Sequence, residues 1–314
     1  MTEKKVIAVL GATGAQGGGL IRSILNDSNS EFTIRALTRS AGSDKSKALA
    51  ASGIEVVEAD VDSKESLVKA FKGAYGVFGV TFFWEHFSGE KEENQANNIA
   101  LAAKEAGVKH VIWSTLEDTR NWIPLSDDRM PTLQGKYKVP HFDAKGTSNR
   151  FFDEAGVPAT CLNTSFYWEN FIYFGLGPQK GPDGKLGITF PMGDKKLPGI
   201  ASEDIGKCAY GIFKAGESYI GKTLGIAGGH LTGKQMAESF SKILGQEVGY
   251  NDVPADVYRS FGFPGADEMG NMFQFKRDFN EDYCNARNLG FTRTLNPDLQ
   301  SFDAWLEQNK EKLK

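Results

Sequence analysis

Short, unbroken apolar runs alternate with amphipathic stretches through the first half of the chain. Val6 to Leu10 is continuous apolar sequence ended by Gly11, after which Leu20, Ile21, Ile24 and Leu25 recur at helical spacing. Phe32 to Leu37, Ile54 to Val57 and Tyr75 to Val80 predict three further strands. Between the last two, Asp62-x-x-Glu65 reads as a capping box opening a helix that carries Leu67, Val68 and Phe71. A longer helix spans about Glu90 to Ala106 with Gly107 as its stop, and Val108 to Trp113 is a fifth strand. Strand and helix alternating at this spacing predict an α/β fold built on a doubly wound parallel sheet of Rossmann type. Ligand binding is then expected in the crevice at the carboxyl ends of the strands.

The second half is less regular. A helix after Pro140 carries Phe142, Lys145, Phe151 and Phe152 and closes at Gly156, and Pro158 to Leu162 is another strand. Gly175 to Lys196, rich in Gly, Pro and Asp, predicts hairpins or a long loop. Thr232-x-x-Gln235 caps a helix reaching Leu244, and Asn296-Pro297 is expected to start the last helix, striped by Phe302, Trp305 and Leu306. There is no internal repeat. The economical division is a dinucleotide-binding domain over 1–165, with a returning segment at about 198–230. A smaller, partly C-terminal α/β lobe over 166–197 and 231–314 closes a substrate or partner cleft.

Composition narrows the function classes. The 314 residues carry a formal net charge of −4 and a pI near 5.7, which argues against direct attachment to nucleic acid or to an anionic membrane. The densest charge, around Glu90 to Glu93, mixes both signs. Cys161, Cys208 and Cys284 stand far apart without a C-x-x-C pair, which reads as reduced thiols. His86, His110, His141 and His230 show no metal-ligand spacing. No apolar run approaches the roughly 20 residues that span a bilayer. A soluble, cytoplasmic protein is expected, monomer or homodimer, with entry into the nucleus left open.

The sharpest signal is Gly11-Ala12-Thr13-Gly14-Ala15-Gln16-Gly17, placed directly after a buried strand and directly before a helix. Each glycine has a physical task there: a tight turn, close approach of backbone to pyrophosphate, and close packing of helix on strand. The helix N-terminus adds free N–H groups and the positive end of its dipole. NAD sites usually carry an acid at the end of the second strand to bind the ribose 2′-OH. That strand ends here in Thr38-Arg39-Ser40, so the acid is missing and Arg39 offers a guanidinium for a 2′-phosphate. NADP(H) is the expected cofactor. Asp60, at the end of the third strand, is placed to accept from the adenine amino group.

Several segments together carry a resemblance. The glycine motif continued by Gly18-Gly19, then Arg39, His141-Phe142-Asp143-x-Lys145, Tyr167-Trp168-Glu169-Asn170 and Phe261-Gly262-Phe263-Pro264-Gly265-Ala266, resembles the NmrA-like family, an atypical branch of the short-chain dehydrogenase/reductases. The likeness is greatest to that family's NADPH-sensor proteins and runs over nearly the whole chain. It implies that Gly11 to Gln16 and Arg39 hold phosphates and that Thr81 and Phe82 border the cofactor. Lys145 would then reach the nicotinamide ribose, and Phe166, Tyr167, Trp168 and Glu169 would line the nicotinamide end. One departure is Asn94, near where the sensor proteins carry a cofactor-contacting lysine.

The catalytic positions read differently from those of a working reductase. Such enzymes place Tyr-x-x-x-Lys on one helix face, the lysine lowering the tyrosine pKa for proton exchange. Four residues before Lys145 stands His141, and Tyr137 precedes Pro140, where the helix is expected to begin. His141 is either a proton shuttle or an imidazole bonded to backbone near a helix start. Ser114 and Thr115 either polarise a carbonyl or satisfy local backbone groups. Met269, Met272, Phe273 and Phe275 form either an adaptable partner surface or packing within the fold. Two functions follow. One is a regulatory NADP(H)-binding redox sensor with weak or no turnover, acting through a protein partner, with Thr115 to Lys138 and Gly175 to Lys196 as segments that change conformation. The alternative is an NADPH-dependent reductase of a quinone or carbonyl substrate.

Overall fold

The structure, a computed structural model, describes residues 3–181 and 183–313. Its first elements are β1 (Lys5–Val9), α1 (Ala15–Asn26), β2 (Phe32–Thr38), α2 (Asp44–Ala51), β3 (Glu55–Glu58), α3 (Lys64–Phe71), β4 (Gly76–Gly79), α4 (Gly89–Glu105), β5 (His110–Thr115), α5 (Pro140–Glu154) and β6 (Ala159–Asn163). There follow β7 (Phe166–Tyr167), α6 (Asn170–Tyr173), β8 (Gln179–Lys180), β9 (Leu186–Thr189), β10 (Lys196–Ile200), α7 (Ser202–Lys214), β11 (Thr223–Gly225), β12 (Gly229–Thr232), α8 (Gly233–Leu244) and β13 (Val248–Asn251). The chain ends in α9 (Ala255–Arg259), α10 (Ala266–Asp278), α11 (Asn280–Asn285), α12 (Leu289–Leu295) and α13 (Phe302–Asn309).

Two compact units arise from this chain. The first takes Met1–Asp118, His141–Asn163 and Ile205–Leu224; the second takes Thr119–Pro140, Thr164–Asp204 and Gly225–Lys314. The segment 119–140 thus belongs to the second unit, inside the range that sequence reasoning gave to the dinucleotide-binding domain.

In the first unit a seven-stranded sheet runs in the order β11-β6-β5-β4-β1-β2-β3. β1 lies between β4 and β2, parallel to both, with Val9 beside Phe78 and Ala36. Alternate residues of a strand face opposite sides, and both sides are buried here. Ala8, Leu10, Leu37 and Val77 pack with Leu67 and Phe71 of α3, Ile99 of α4 and Phe152 of α5. On the other side, Phe32 meets the rings of Tyr210 and Phe213 of α7. α7 approaches α1 so closely that a Cβ on Gly206 would stand 2.1 Å from the Leu20 nitrogen. Glycine is what lets these two helices touch.

The second unit holds two three-stranded sheets, β12-β10-β7 and β13-β9-β8, and the helices of the C-terminal part. The antiparallel pair β8–β9 is the hairpin foreseen in the Gly-rich stretch. α8 opens on the Thr232–Gln235 capping box and ends at Gly245 in the left-handed region. Two boundaries differ from expectation. Ser63, rather than Asp62, caps α3 by accepting from the Ser66 amide, and Asp62 instead accepts from Gln95 and pairs with Lys91. The last helix starts at Ser301, which accepts from Ala304, because Asn296 turns back to accept from the Asp298 amide. Met269, Met272, Phe273 and Phe275 are buried, so they serve packing.

Candidate functional site

The glycine turn has the local geometry that a pyrophosphate requires. Gly11 sits at φ +63°, a left-handed conformation that glycine adopts without steric cost, and the Gly14 amide closes the turn on the Gly11 carbonyl at 2.8 Å. A Cβ on Gly17 would stand 2.5 Å from that same carbonyl oxygen, so the first turn of α1 packs directly on the loop. Gly14 caps the helix with no side-chain acceptor, so no capping side chain competes with a phosphate at this helix N-terminus. Ala12 is buried and Thr13 half-buried. Gln16 is tied to β5, where Ser114 Oγ donates to its Oε1 at 2.8 Å. The cradle fits a dinucleotide's phosphates.

Arg39 follows β2 as expected, and its guanidinium is not alone. It pairs with Glu85, the last residue of a single 3-10 turn (Phe83–Glu85) after β4. Asp60 uses its carboxylate locally, accepting from the Asp62 amide at 2.9 Å. Phe82 is largely exposed beside this turn.

Thr81 and Lys145 meet in a buried polar cluster. Lys145 Nζ stands 2.7 Å from Thr81 Oγ1, 3.3 Å from the Thr81 carbonyl oxygen and 2.7 Å from Glu92 Oε1. Thr81 Oγ1 itself donates to Glu92 Oε1 at 2.5 Å. An ammonium has three N–H donors, and three protein oxygens surround this one. The second Glu92 oxygen lies 3.4 Å from His86 Nε2, without a well-formed hydrogen bond. His86 Nδ1 accepts from the Ser88 amide, which leaves Nε2 to carry the proton in the neutral ring. Burial alone would raise the Glu92 carboxyl, but the Lys145 charge, with His86 and Thr81, outweighs it and holds the group at about 2.

His141, one turn before Lys145 on α5, is almost buried. Its ring lies 5.0 Å from Trp84, 5.8 Å from Phe83 and 4.8 Å from Phe142. Tyr137 precedes α5 and is fully buried in the second unit, with the charged groups of Arg120 and Lys136 5.6 Å and 5.2 Å from its ring centre. Thr115 serves structure, its hydroxyl lying 3.0 Å from the Lys145 carbonyl oxygen and 2.8 Å from Asn149 Oδ1.

Phe166, Tyr167, Trp168 and Glu169 all belong to the second unit. Phe166 packs on Phe171 and Phe273, and Trp168 on Phe302 and Trp305. Glu169 accepts from the Ser202 amide at 2.9 Å and from Trp305 Nε1 at 3.1 Å, while burial raises its carboxyl pKa. Burial also pushes the Tyr167 hydroxyl up to about 12. Among the described residues no group of three or more His, Cys, Asp or Glu side chains is arranged to hold a metal ion, and no helix is long and apolar enough to cross a membrane.

Comparison with known proteins identifies the family. The model of the NmrA-like family matches residues 3–311. An NmrA-like family domain-containing oxidoreductase of Cladobotryum sp, FrzB, is 32% identical over 295 residues, covering 86% of this chain and 83% of that protein. Among solved structures, NmrA, described as a negative transcriptional regulator, was determined in complex with NADP. It shares the fold at a TM-score of 0.78 and 22% identity over 98% of this chain and 95% of its own. The Citrobacter sp. triphenylmethane reductase, complexed with NADP(H), matches at TM-score 0.76 and 19% identity, over 97% and 99% of the two chains. A glycine cradle after β1, a lysine on α5 and a family match over almost the full length lead to one conclusion: the chain belongs to the NmrA-like family.

Proposed function

We propose that the chain is a cytoplasmic NADP(H)-binding regulatory protein that reports the state of the cofactor through a protein partner, with weak or no turnover of its own. The glycine cradle supports the binding part, and the solved relatives complexed with NADP or NADP(H) support the choice of cofactor. The observation that carries the regulatory part is the state of Lys145. Bound NADPH supplies a hydride, and the acceptor then needs a proton from a group that can release and regain it. The Lys145 ammonium is neutralised by a buried carboxylate and surrounded by three protein oxygens. One turn earlier, where a reductase carries tyrosine, stands His141 wedged among aromatic rings. Such a site binds and orients better than it exchanges protons.

A reductase of a quinone or carbonyl substrate is the second reading. It is favoured by His141 and Lys145 sharing one face of α5 and by the oxidoreductase designation of the relative at 32% identity. The two readings separate in an assay of NADPH oxidation with simple quinones. The regulatory reading expects rates far below the roughly 1–10³ s⁻¹ usual of enzymes. A rate within that range, lost in Lys145→Ala without loss of cofactor binding, would instead establish the reductase. The regulatory reading also requires that partner and cofactor alter each other's affinity by the same factor.

A further inference from the structure

The residue after β2 and the turn after β4 lie on either side of the glycine turn, because β1 sits between those two strands. Arg39 and Glu85, 46 residues apart in sequence, join across that gap. The carboxylate that sequence reasoning sought at the end of β2, and found missing, is therefore delivered to the same guanidinium from the end of β4. Both side chains remain open to solvent, at 68% and 47% exposure, so neither is held by packing and each can exchange its partner for a ligand. A carboxylate and a phosphate compete for a guanidinium through the same paired N–H···O geometry. A 2′-phosphate adds nearly two negative charges beside Glu85, whereas a 2′-hydroxyl adds none and can donate to a carboxylate.

We propose that Glu85 is a specificity-determining residue that opposes Arg39 and holds down the preference of the site for NADP(H) over NAD(H). The inference rests on the reading that a dinucleotide lies on the glycine turn. To bind a 2′-phosphate, Arg39 must leave Glu85 or share its guanidinium with it. NAD(H) requires neither, and the carboxylate is an acceptor for its 2′-hydroxyl. The site thus carries both recognition groups, and their pairing sets the balance.

The test is calorimetric titration of NADP⁺ and NAD⁺ into the wild-type chain, Glu85→Gln, Arg39→Ala and the double variant, at low and high salt. Both positions are exposed, and thermal melts check that the variants fold. Exposed ion pairs contribute little, so Glu85→Gln is expected to tighten NADP⁺ by about two- to fivefold while leaving NAD⁺ unchanged or slightly weaker. The gain should shrink at high salt and be smaller on the Arg39→Ala background, where only the direct repulsion between Glu85 and the phosphate remains. If Arg39→Ala removes the NADP preference but Glu85→Gln changes neither cofactor, or both equally, the role of Glu85 is overturned and the cofactor reading stands. If Arg39→Ala leaves the preference intact, the guanidinium is not the 2′-phosphate ligand and the inference fails with it. If neither cofactor binds the wild-type chain, both fall.

Discussion

Replacing Lys145 by methionine strands Glu92 in the interior of the first unit. The Glu92 side chain is wholly buried, and its charge is met by the Lys145 ammonium at 2.7 Å. With that partner present the carboxyl pKa falls from an ordinary 4.5 to about 2. At about 1.4 kcal/mol per unit, that depression corresponds to roughly 3 kcal/mol of stability, in line with the roughly 3–5 kcal/mol lost when one partner of a buried pair is removed. Because the folded-state pKa is the lower one, this stability is fully present above about pH 4.5 and is lost as pH falls toward 2. In Lys145→Met the sign reverses. Burial without a counter-charge raises the Glu92 pKa, so the variant suffers most at neutral pH and approaches wild type as the carboxyl protonates. Thermal unfolding followed at pH 7 and pH 4.5 reads this directly. At about 2–4 °C per kcal/mol for units of this size, the melting temperature should drop by roughly 6–12 °C at pH 7 and by much less at pH 4.5. Adding Glu92→Leu should recover most of the loss, since a packed apolar pair can replace a buried ion pair at little cost. A drop of about 1 °C or less at pH 7, or a double variant no better than the single one, would refute the reasoning.

Two further outcomes follow from the packing. His110 is fully buried, with Nε2 2.8 Å from Thr160 Oγ1. That hydroxyl donates to the Tyr219 carbonyl and so accepts from the ring, leaving Nδ1 without a partner. Burial lowers the imidazole pKa from 6.5 to about 4, so wild-type stability should fall by about 3 kcal/mol as pH drops through that window. His110→Gln should flatten this slope in urea unfolding at pH 7 and pH 4.5, and an unchanged slope would count against it. Gly206→Ala places a methyl 2.1 Å from the Leu20 nitrogen. Overpacking of this kind costs about 1–3 kcal/mol or more, and a melting temperature equal to wild type would show that α7 and α1 can separate freely.

The parallel sheet and the glycine turn were legible because their signals are local. A strand buried on both faces is a continuous apolar run, and the cradle needs its glycines at fixed spacing after such a run. The lysine of the buried cluster was legible as well, through its place in a family motif. Its carboxylate partner was not. Glu92 lies in the most charged stretch of the chain, Glu90 to Glu93, which reads as a solvated helix face. The one available signal was its spacing to Ala96, Ile99 and Ala103, all buried on α4, which puts a carboxylate on an apolar stripe. Glu85 offered no such clue, since only the strand order brings it to Arg39. β10 was hidden for another reason. It is the central strand of its sheet yet contains Pro198 and Gly199, residues that argue against a central strand. Gly199 is required there because a Cβ would lie 2.3 Å from Trp168 Nε1. The expected start of the last helix at Asn296-Pro297 failed because a Ser cap five residues later was equally good chemistry.

The most direct test of the central claim is calorimetric titration of NADPH into the wild-type chain and into Gly17→Ala, whose new methyl would stand 2.5 Å from the Gly11 carbonyl oxygen and spoil the cradle without touching Arg39 or Lys145. Saturable one-site binding to wild type, lost or weakened at least about tenfold (roughly 1.4 kcal/mol) in a variant that still folds, is the expected result. Equal affinity in both proteins, or no binding to the wild-type chain, would contradict a dinucleotide seated on the glycine turn.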